Sequence, residues 1–524
     1  MPLIDKIRED KLIELAKARF DPDLKPAELK VLHDSASSED LPEPDEKAPR
    51  PEVRAAFIRW LATDPEAVPH IDPRGIRVFA TTITGQLNLR ECHIDSTLVF
   101  RRCDFQGKIN LQSAEAKCLF FLNSSLAGGI HADWVIVHGT LFLRNIHAES
   151  EIRLLGAQIE GNLECSGAKL KTEGNALSAD GAKIDGDVFL RDGFESDGAI
   201  RLLSADIKGQ LNCTGAKLKS EGNALYADGV KIGCDIFMMD GFEIGGTIRL
   251  LGAEVGGDLT VFGAKVSRAI CQNTVVKGDM IWQCIEKSED TYLNLIGMRV
   301  KNLRDDRMSW PDEEHLDIDG LVYEELTLHE TSSDENIKAG LYPHELPLVA
   351  EERIAWIMLQ PPERRTEPQP WMQLRDLLER KGDRKGAKHV LYKLRCLQVK
   401  NEWFLRQKLS IAFAWLEESL IRILCPIAIT LLLGTLIFYR ADQGSKMLRT
   451  DNKVTEVSYP PFQPFVYTLE NTVPLAKLGM DDKWAPNPAT DWYWFLAVSR
   501  WLLIFIGWFY SAVLGAALLR RFKE

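Results

Sequence analysis

The sequence predicts a mainly β fold: a four-sided parallel β-helix with helical caps, followed by a helical connector and two C-terminal transmembrane helices. Three observations support this prediction. A block of 48 residues is repeated in the middle of the chain, a finer step of about 11 residues runs through residues 87–300, and two long apolar runs lie near the C-terminus. With 524 residues the chain is too long for one hydrophobic core, so several structural units are expected.

The long repeat gives the clearest periodicity. Residues 152–199 and 200–247 are identical at 31 of 48 positions, and a third copy follows. Within these blocks, and before them, central apolar residues advance by alternating steps of six and five, as from Ile94 to Phe100 to Phe105. Glycines at the unit boundaries disfavour a helical repeat, because an interior glycine costs a helix about 1 kcal/mol. Four such steps, about 22 residues, would close one coil, which gives a β-helix of about ten coils.

The apolar and small positions of each unit should point into the coil, and the polar positions between them should point out. Arg153, Gln158 and Glu160 are examples of the outward polar positions. Alanine recurs in the inward set, at the point where a corner of the coil leaves least room. The predicted β-helix core comprises Leu154, Ala157, Ile159, Leu202, Ala205, Ile207, Leu250, Ala253 and Val255.

Several five-residue segments, CDFQG, GAKLK, SADIK and GAEVG, resemble the pentapeptide-repeat family. That resemblance implies a right-handed quadrilateral β-helix. The whole chain resembles a group of bacterial β-helix proteins with a C-terminal two-span membrane hairpin, through segments such as QPWMQLRDLLERKGDRKGAKHVLYKLR and PFVYTLENTVPLAKLG. Members of that group are often labelled membrane-associated oxidoreductases. The resemblance therefore implies a bacterial inner-membrane protein and offers an oxidoreductase as one alternative function.

Two apolar runs predict membrane spans. Residues 423–439 and 501–519 contain no charged side chain, and each is close to the ~20 residues that cross a bilayer. Tryptophans cluster around the start of the second run, as at a membrane interface. Basic residues before the first run and after the second place both termini in the cytoplasm and residues 440–490 on the far side. A pair of buried helices in a soluble domain is the alternative.

Two sets of residues are candidates for membrane contacts. Small residues repeat every four positions in the second run and would form a face for close helix packing and for a homo-oligomer, although a general frequency of small residues in membrane helices is an equally open explanation. This packing face consists of Gly507, Ser511 and Gly515. Basic residues before the first run would meet anionic lipid, although a solvated basic face is equally open. The lipid-facing basic set consists of Lys385, Lys388, Lys393, Arg395 and Lys400.

The predicted organisation has four parts. They are a helical N-terminal region with an acidic linker and a cap in residues 1–75, the β-helix in 76–330, a helical connector in 331–410 and the membrane hairpin in 411–524. Residues 51–62 should form a helix that covers the first coil, because an open end would expose a sheet edge. Between the spans, apolar residues from Phe465 to Leu475 predict an interfacial helix lying on the membrane.

The sequence lacks the common motifs of catalysis, nucleotide binding and metal binding: G-x-G-x-x-G after a strand, Walker A, H-E-x-x-H and G-x-S-x-G. The ten cysteines contain no C-x-x-C pair. We therefore predict no catalytic, cofactor-binding or metal-binding residues and no cofactor. Asp180, Asp192, Asp228 and Asp240 recur at equivalent repeat positions and have two interpretations. They are carboxylates of a glycan-processing site, or corner carboxylates that accept backbone amides.

The charge distribution bears on the partners. The net charge of −12 disfavours a general nucleic-acid binder. Residues 305–352 carry 15 acids and 2 bases, whereas residues 380–410 carry 10 bases and 2 acids. The sequence thus predicts a membrane-anchored cytoplasmic scaffold or protein-interaction module without catalysis. Its expected partners are membrane lipids, an unidentified protein and a second copy of the chain. A channel-like oligomer and the oxidoreductase of the family label are the alternatives.

Overall fold

The computed structural model describes residues 3–20, 24–42, 49–330, 344–399, 420–450, 459–473 and 476–521. The chain divides into two compact units, residues 1–381 and 382–524, which we describe in turn. The first unit contains the parallel strands, and the second contains the two long apolar helices. The predicted mainly β fold with helical parts is confirmed.

The first unit is a parallel β-solenoid of about 11 turns, close to the number expected from the repeat. Each strand pairs with the strands one turn before and one turn after it, so that Leu98 pairs with Ile76 and with Leu119. Corresponding corner residues are 22 positions apart at Asn123 and Asn145, and longer turns of 25 positions also occur. The longer turns contain the sequence TEGN or SEGN at a corner.

The strands form four ladders, which we name faces A to D in the order in which one turn visits them. Face A comprises Ile76–Phe79, Leu98–Arg101, Leu119–Leu122, Leu141–Phe142, Leu163–Glu164, Val188–Phe189, Leu211–Asn212, Ile236–Met239, Leu259–Phe262 and Asp279–Gln283. Face B comprises Glu52–Arg54, Thr82–Thr84, Asp104–Phe105, Ser125–Leu126, His147–Ala148, Lys169–Leu170, Glu195–Ser196 and Lys217–Leu218. Face C comprises Leu87–Asn88, Ile109–Asn110, Ile130–His131, Ile152–Arg153, Asn175–Ser178, Ala199–Arg201, Asn223–Tyr226, Tyr292–Asn294 and Leu316–Asp317. Face D comprises His93–Ile94, Glu115–Ala116, Ile136–Val137, Gln158–Ile159, Lys183–Ile184, Asp206–Ile207, Lys231–Ile232, Glu254–Val255 and Val275–Val276.

Longer strands turn a corner near the C-terminal end of the solenoid. Strands Glu243–Arg249 and Lys265–Ile270 run from face B into face C, and strands Arg299–Asp306 and Val322–His329 run from face D into face A. The short strand Glu345–Leu346 pairs antiparallel with the last of these. Single turns of 3₁₀ helix occur at Val68–His70 and Arg307–Ser309.

Inward side chains fill the solenoid. The nine positions that we predicted from the three repeat copies are all buried, with at most 1% of each residue exposed. Alternation along each strand explains the pattern, because successive residues point to opposite sides of a sheet. Aromatic rings stack from turn to turn in the first turns, with the centroids of Phe100 and Phe121 5.2 Å apart. The core is therefore a continuous apolar column that each turn extends.

The corners need residues with left-handed backbone conformations. Between faces C and D, Trp134 has a φ of 61° and Gly156, one turn later, has a φ of 63°. The ring of Trp134 lies over Gly156, where an added Cβ would collide with it. Glycine is required here for two reasons, the positive φ and the close approach of the indole.

Three helices cover the first turn: α1 (Leu3–Phe20), α2 (Pro26–Ala36) and α3 (Ala55–Thr63). The buried carboxylate of Glu28 accepts Nε and Nη2 of Arg54 at 2.7 and 2.6 Å. The buried carboxylate of Asp5 accepts the backbone amide and the hydroxyl of Ser38 at 2.9 and 2.8 Å. Helix α3 is the helix predicted for residues 51–62, and it contacts the first strands of faces C and D.

Helices α4 (Ala350–Ile357) and α5 (Pro368–Arg380) lie at the other end of the solenoid. Two glutamines of α5 bond to backbone groups near the last strands, which have no further turn to pair with. Gln373 donates to the carbonyl of Tyr323 at 2.7 Å, and Gln369 both donates to the carbonyl of Leu321 and accepts the amide of Gly320. The glutamine side chains thus substitute for part of a missing turn.

A buried ion pair anchors this C-terminal cap. Arg353, 1% exposed, donates to both carboxylate oxygens of Asp305 at 2.7 and 2.8 Å. The indole nitrogen of Trp310 donates to the same carboxylate at 3.0 Å, and the guanidinium lies 5.7 Å from the ring centroids of Trp310 and Trp356. The carboxylate and two nitrogens of the guanidinium are thus hydrogen-bonded in a site that excludes water. A buried ion pair needs such bonds, because removing both charges from water is costly.

The second unit contains α6 (Arg384–Val399), α7 (Leu420–Gln443), α8 (Pro464–Thr472) and α9 (Tyr493–Arg521). Helix α8 packs against both α7 and α9, which also contact each other. Strands Met447–Arg449 and Trp484–Pro486 pair antiparallel between the long helices. A small core that includes Phe438, Tyr467, Met480 and Leu496 joins these elements.

Replacing Leu154 by aspartate should destabilise the solenoid by about 3–5 kcal/mol, because an unpaired carboxylate would enter the apolar column. Thermal and denaturant unfolding of the full chain would measure the loss. Gln158→Asp is the matched control, since Gln158 is exposed on the outer side of the same turn. Equal stability of the two variants would contradict the inward position of Leu154.

Candidate functional site

Face D carries an alternating chain of histidines and carboxylates. Glu115 accepts hydrogen bonds from His93 at 3.1 Å and from His138 at 2.8 Å. Asp95 and Glu160 bond the other ring nitrogens of these two histidines at 2.9 and 3.1 Å. Glu115 raises the pKa of both imidazoles, and the two histidines lower the pKa of Glu115. Both imidazoles therefore keep a proton at higher pH than an isolated histidine does.

Faces B and C carry paired charges on their outer sides. On face C, Asp180 accepts Arg201 at 2.6 Å and the amide of Leu203 at 3.1 Å, and Asp228 bonds Arg249 and Leu251 in the same way. The interpretation as corner carboxylates that accept backbone amides is confirmed for Asp180 and Asp228. Asp192 and Asp240 accept no amide from a described residue, and Asp192 instead lies beside Arg191. Face B carries lysine–glutamate pairs on successive turns, and such exposed pairs contribute about 0–1 kcal/mol each.

Face A differs from the other three faces. Its first outward position on successive turns is occupied mainly by apolar residues in register, from Val99 to Ile281. The rings of Phe120 and Phe142 stack with centroids 4.4 Å apart and an interplanar angle of 12°. These side chains are half-buried because each covers part of its neighbour. The column comprises Val99, Phe120, Phe142, Glu164, Phe189, Asn212, Phe237, Thr260 and Ile281.

The second outward position of face A carries arginine on alternate turns. Arg101 pairs with Leu122 one turn later, and backbone hydrogen bonds continue this position through Arg144 to Arg191. The guanidinium of Arg191 lies 4.3 Å from the ring centroid of Phe189, within reach of a cation–π contact. Arg144 is exposed.

A cavity of about 350 Å³ opens on the same face, toward the C-terminal end of the solenoid. Gln283 lines it and bonds Nδ1 of His329 at 2.8 Å. The residues that line it include members of both outward positions of face A. The apolar part of the lining consists of Phe237, Met239, Phe262 and Ile281.

The buried cysteines of the solenoid are unsuited to thiolate chemistry. Burial raises the pKa of Cys103 to about 11 and the pKa of Cys213 and of Cys271 to about 12. A protonated buried thiol is a poor nucleophile and packs as a small apolar group. Within the described ranges, no group of three or more histidine, cysteine, aspartate and glutamate side chains is arranged to hold a metal ion.

Helices α7 and α9 are long and apolar enough to span a membrane, over Leu424–Gln443 and Tyr493–Gly515. Only 17% and 28% of the residues in their most apolar stretches are buried. Large apolar side chains such as Leu432 and Phe505 are 61% and 73% exposed. The core helices of a soluble domain would bury such residues, so this exposure disfavours the soluble alternative.

Helix α8 has its polar side buried and its apolar side exposed. Tyr467, Thr468 and Asn471 are buried, whereas Phe465 is 54% exposed. The apolar spacing predicted a helix in this segment, and the helix is present. Its buried face is the opposite of the one that a water-soluble amphipathic helix would bury. The exposed apolar side is suited to lipid, and the buried polar side lies between α7 and α9.

Charged and polar groups hold the segment after α8 in place. The carboxylate of Glu470 accepts the four consecutive backbone amides of residues 478–481 at 2.7–3.0 Å. Arg500 on α9 donates to Asn471 at 3.0 Å and to Asp481 at 2.6 Å. Asn471 also donates to Asp481 at 3.2 Å. Sequence inspection missed this network, although an arginine directly before the predicted second span was a visible signal.

The predicted packing face on α9 is divided. Gly507 lies against the end of α8, where an added Cβ would overlap the carbonyl oxygen of Thr472. Gly515 faces open space among the described residues, and Ser511 is exposed. Gly507 thus allows α9 and the end of α8 to approach closely within the chain. Packing of Ser511 and Gly515 against another helix stays a prediction.

The predicted basic set lies mostly on α6. Lys385 and Lys388 are exposed, and Lys393 and Arg395 are half-buried. Lys400 lies outside the described residues. Contact of this set with anionic lipid stays a prediction.

Comparisons with known proteins give no assignment. No protein-family model matches the chain, and neither curated proteins nor solved structures show significant similarity to it. The resemblance to pentapeptide repeats and to a membrane-hairpin group therefore stays a prediction. The surface that sequence inspection overlooked is face A. Its signal was an aromatic residue directly after the first apolar residue of a unit, as in Leu119–Phe120 and Leu141–Phe142.

Replacing Glu470 by glutamine should loosen the segment after α8, because a side-chain amide offers one acceptor oxygen where the carboxylate offers two. We expect a loss of about 2 kcal/mol in local stability and faster amide hydrogen exchange at residues 478–481. Hydrogen-exchange mass spectrometry of the full chain would measure it. Asp482→Asn is the control, since Asp482 is an exposed carboxylate beside the same segment. Unchanged exchange in E470Q would contradict the assigned role.

Proposed function

We propose that this protein is a membrane-anchored β-solenoid scaffold. The observation that carries the proposal is the combination of a capped solenoid with two helices whose apolar side chains are exposed over spans of 20 and 23 residues. Insertion of α7 and α9 in a bilayer would remove that apolar surface from water. The solenoid would then present its four outer faces to partner proteins.

We propose further that both termini lie in the cytoplasm of a bacterial cell and that the segment between α7 and α9 reaches the far side. The basic residues before α7 and at the end of α9 support this orientation. The same basic residues on α6 would meet anionic lipid headgroups, at about 1 kcal/mol per charge near the surface. An oxidoreductase, which the family resemblance implies, would instead require a stoichiometric flavin or nicotinamide in the purified protein.

Cysteine labelling in intact bacterial cells tests the anchoring and the orientation together. Cys234 on the solenoid is exposed and provides an internal reporter, and Lys477 is exposed in the segment between the spans. A membrane-impermeant maleimide should label K477C in intact cells and leave the wild-type chain unlabelled. Both proteins should become labelled after the cells are permeabilised, because the reagent then reaches Cys234.

Three results would contradict the proposal. Labelling of the wild-type chain in intact cells would reverse the orientation, and extraction of the chain from membranes by alkaline carbonate would exclude insertion. Chemical crosslinking in the same membranes addresses the scaffold. Recovery of the chain without a partner protein and without self-association would contradict the scaffold function.

A channel-like oligomer is the second candidate, and the polar buried face of α8 is the observation that favours it. A short helix held between two spanning helices, with polar side chains inward and apolar ones outward, places polar groups inside the apolar helix pair, where a pore would need them. Glu470 and Arg500 keep the segment after the helix fixed. The solenoid would then be the cytoplasmic part of the assembly.

Planar-bilayer recordings of the purified full chain test this candidate. A pore predicts discrete conductance for the wild-type chain and its loss in G507A, because the added Cβ would push α8 away from α9. G515A is the matched control, since a Cβ there meets open space among the described residues, and its conductance should equal the wild-type value. A wild-type chain that conducts no current would exclude the pore.

A further inference from the structure

A cavity of about 440 Å³ lies between α2 and the first turn of the solenoid. One wall is a single side of α2, because the four helix residues that line it follow the helical spacing of three and four positions. The opposite wall is the corner after the first strand of face A, together with the segment that leads into face B. The apolar part of the lining includes Ala27, Val31, Pro51 and Phe79.

Asp34 is a buried carboxylate in this cavity. It is 5% exposed, and it has no hydrogen bond or ion pair with any described residue. The other buried carboxylates in the described part of residues 1–75 all have partners, in the pairs Glu28–Arg54, Asp5–Ser38 and Asp72–Arg8. Because a buried charge needs a partner, Asp34 marks a place for a cation from outside the chain.

The basic side chains near Asp34 do not take this place. Burial raises the pKa of Asp34, and three neighbouring basic side chains offset this effect only in part. They are Lys30, His33 and Arg77. The guanidinium of Arg77 donates instead to two backbone carbonyls after the end of α2, and the side chains of Lys30 and His33 are exposed. A cation brought into the cavity would therefore offset a desolvation cost that the chain leaves uncompensated.

Two cations line the open side of the same cavity. Lys30 lies one turn before Asp34 on the same side of α2, and Arg50 lies in the opposite wall. Both side chains are exposed, and neither forms an ion pair with a described residue. Residues four positions apart on a helix have Cβ atoms about 6 Å apart, so Lys30 and Asp34 are placed to meet two adjacent charges of one small molecule.

We propose that this cavity is a binding site for a free apolar α-amino acid. The ammonium group would pair with Asp34, the carboxylate would pair with Lys30 and Arg50, and the side chain would contact the apolar wall. Apolar walls with a few convergent polar groups, in a volume of about 300–1,000 Å³, are typical of small-molecule sites. The inference does not depend on the scaffold function.

A metal ion suits this cavity poorly. Asp34 is the one carboxylate among the described lining residues, whereas Ca²⁺ takes about six to eight oxygen ligands. Lys30 and Arg50 would also repel a metal cation. An organic cation without a carboxylate, such as a peptide N-terminus, would leave these two side chains without a partner. The experiment separates that occupant from a free amino acid.

Isothermal titration calorimetry of the full chain in phosphatidylcholine nanodiscs tests the proposal, with empty nanodiscs as the blank. The probes are L-leucine and L-phenylalanine, and we expect saturable binding of at least one of them at millimolar concentration or below. Its N-acetyl derivative lacks the ammonium group, and its amide lacks the carboxylate. Each analogue should bind at least tenfold more weakly, because one side of the cavity would lose its charged partner.

Substitutions locate the binding in the cavity. D34N should weaken binding of the amino acid at least tenfold, since a neutral amide cannot form an ion pair with the ammonium group. The matched control is D40N, the same change at an aspartate whose side chain is 97% exposed, and its affinity should stay within twofold of the wild-type value. The double variant K30Q/R50Q should weaken binding of the amino acid while changing binding of its amide less than twofold.

Thermal unfolding in the same nanodiscs distinguishes a ligand site from a structural carboxylate. Without ligand, D34N should melt at a temperature no lower than that of the wild-type chain, because the substitution removes an unpaired buried charge. A lower melting temperature would contradict the unpaired state of Asp34, on which the site depends.

Other results would overturn the proposal directly. They are the absence of binding by both amino acids at millimolar concentration, wild-type affinity in D34N, and equal binding of the N-acetyl derivative. Equal or tighter binding of the amide would overturn the amino-acid assignment in favour of a cation without a carboxylate. None of these results bears on crosslinking of a partner protein in membranes, so the scaffold function is tested separately.

Discussion

Hydrogen bonding between successive turns is the constraint on which the solenoid depends. Each strand is two to eight residues long and has its donors and acceptors satisfied mainly by the strand before it and the strand after it. No single turn can bury its own apolar side chains, so neither the pairing nor the core exists without neighbours. The fixed rise per turn also aligns chemically similar residues into columns on each outer face.

The same constraint explains the two ends and their buried charges. A terminal turn exposes an unpaired edge, and such an edge invites pairing with another chain. At one end the glutamines of α5 bond to the edge and the Arg353–Asp305 pair holds α4 against the solenoid. At the other end Glu28 and Arg54 hold α2 beside the first strand of face B. Polar side chains are used at both ends because the groups to be satisfied are backbone amides and carbonyls.

Sequence inspection found what repeats and missed what occurs once. The inward positions and the strand step follow from periodicity, and the two apolar helices follow from the length of the uncharged apolar runs, which a single sequence displays. Helix α2 lies in the N-terminal region that was predicted as helical with an acidic linker, and no boundary for this helix was predicted. The carboxylate of Glu470 bonding four amides, and Gly507 meeting Thr472, join segments far apart in the chain, so no local pattern indicates them. Face A had a periodic signal, but its aromatic residues were interpreted only as part of the core pattern.

The 48-residue block corresponds to two turns of the solenoid, since Ile152 pairs with Leu177 and Leu177 pairs with Ile200. Duplicating or deleting one block would therefore lengthen or shorten the rod by about 10 Å and return every later residue to the same face. Rod length and surface chemistry are thereby separable properties of this chain. A lineage that carries such a block can change the reach of the solenoid by unequal recombination without redesigning either cap.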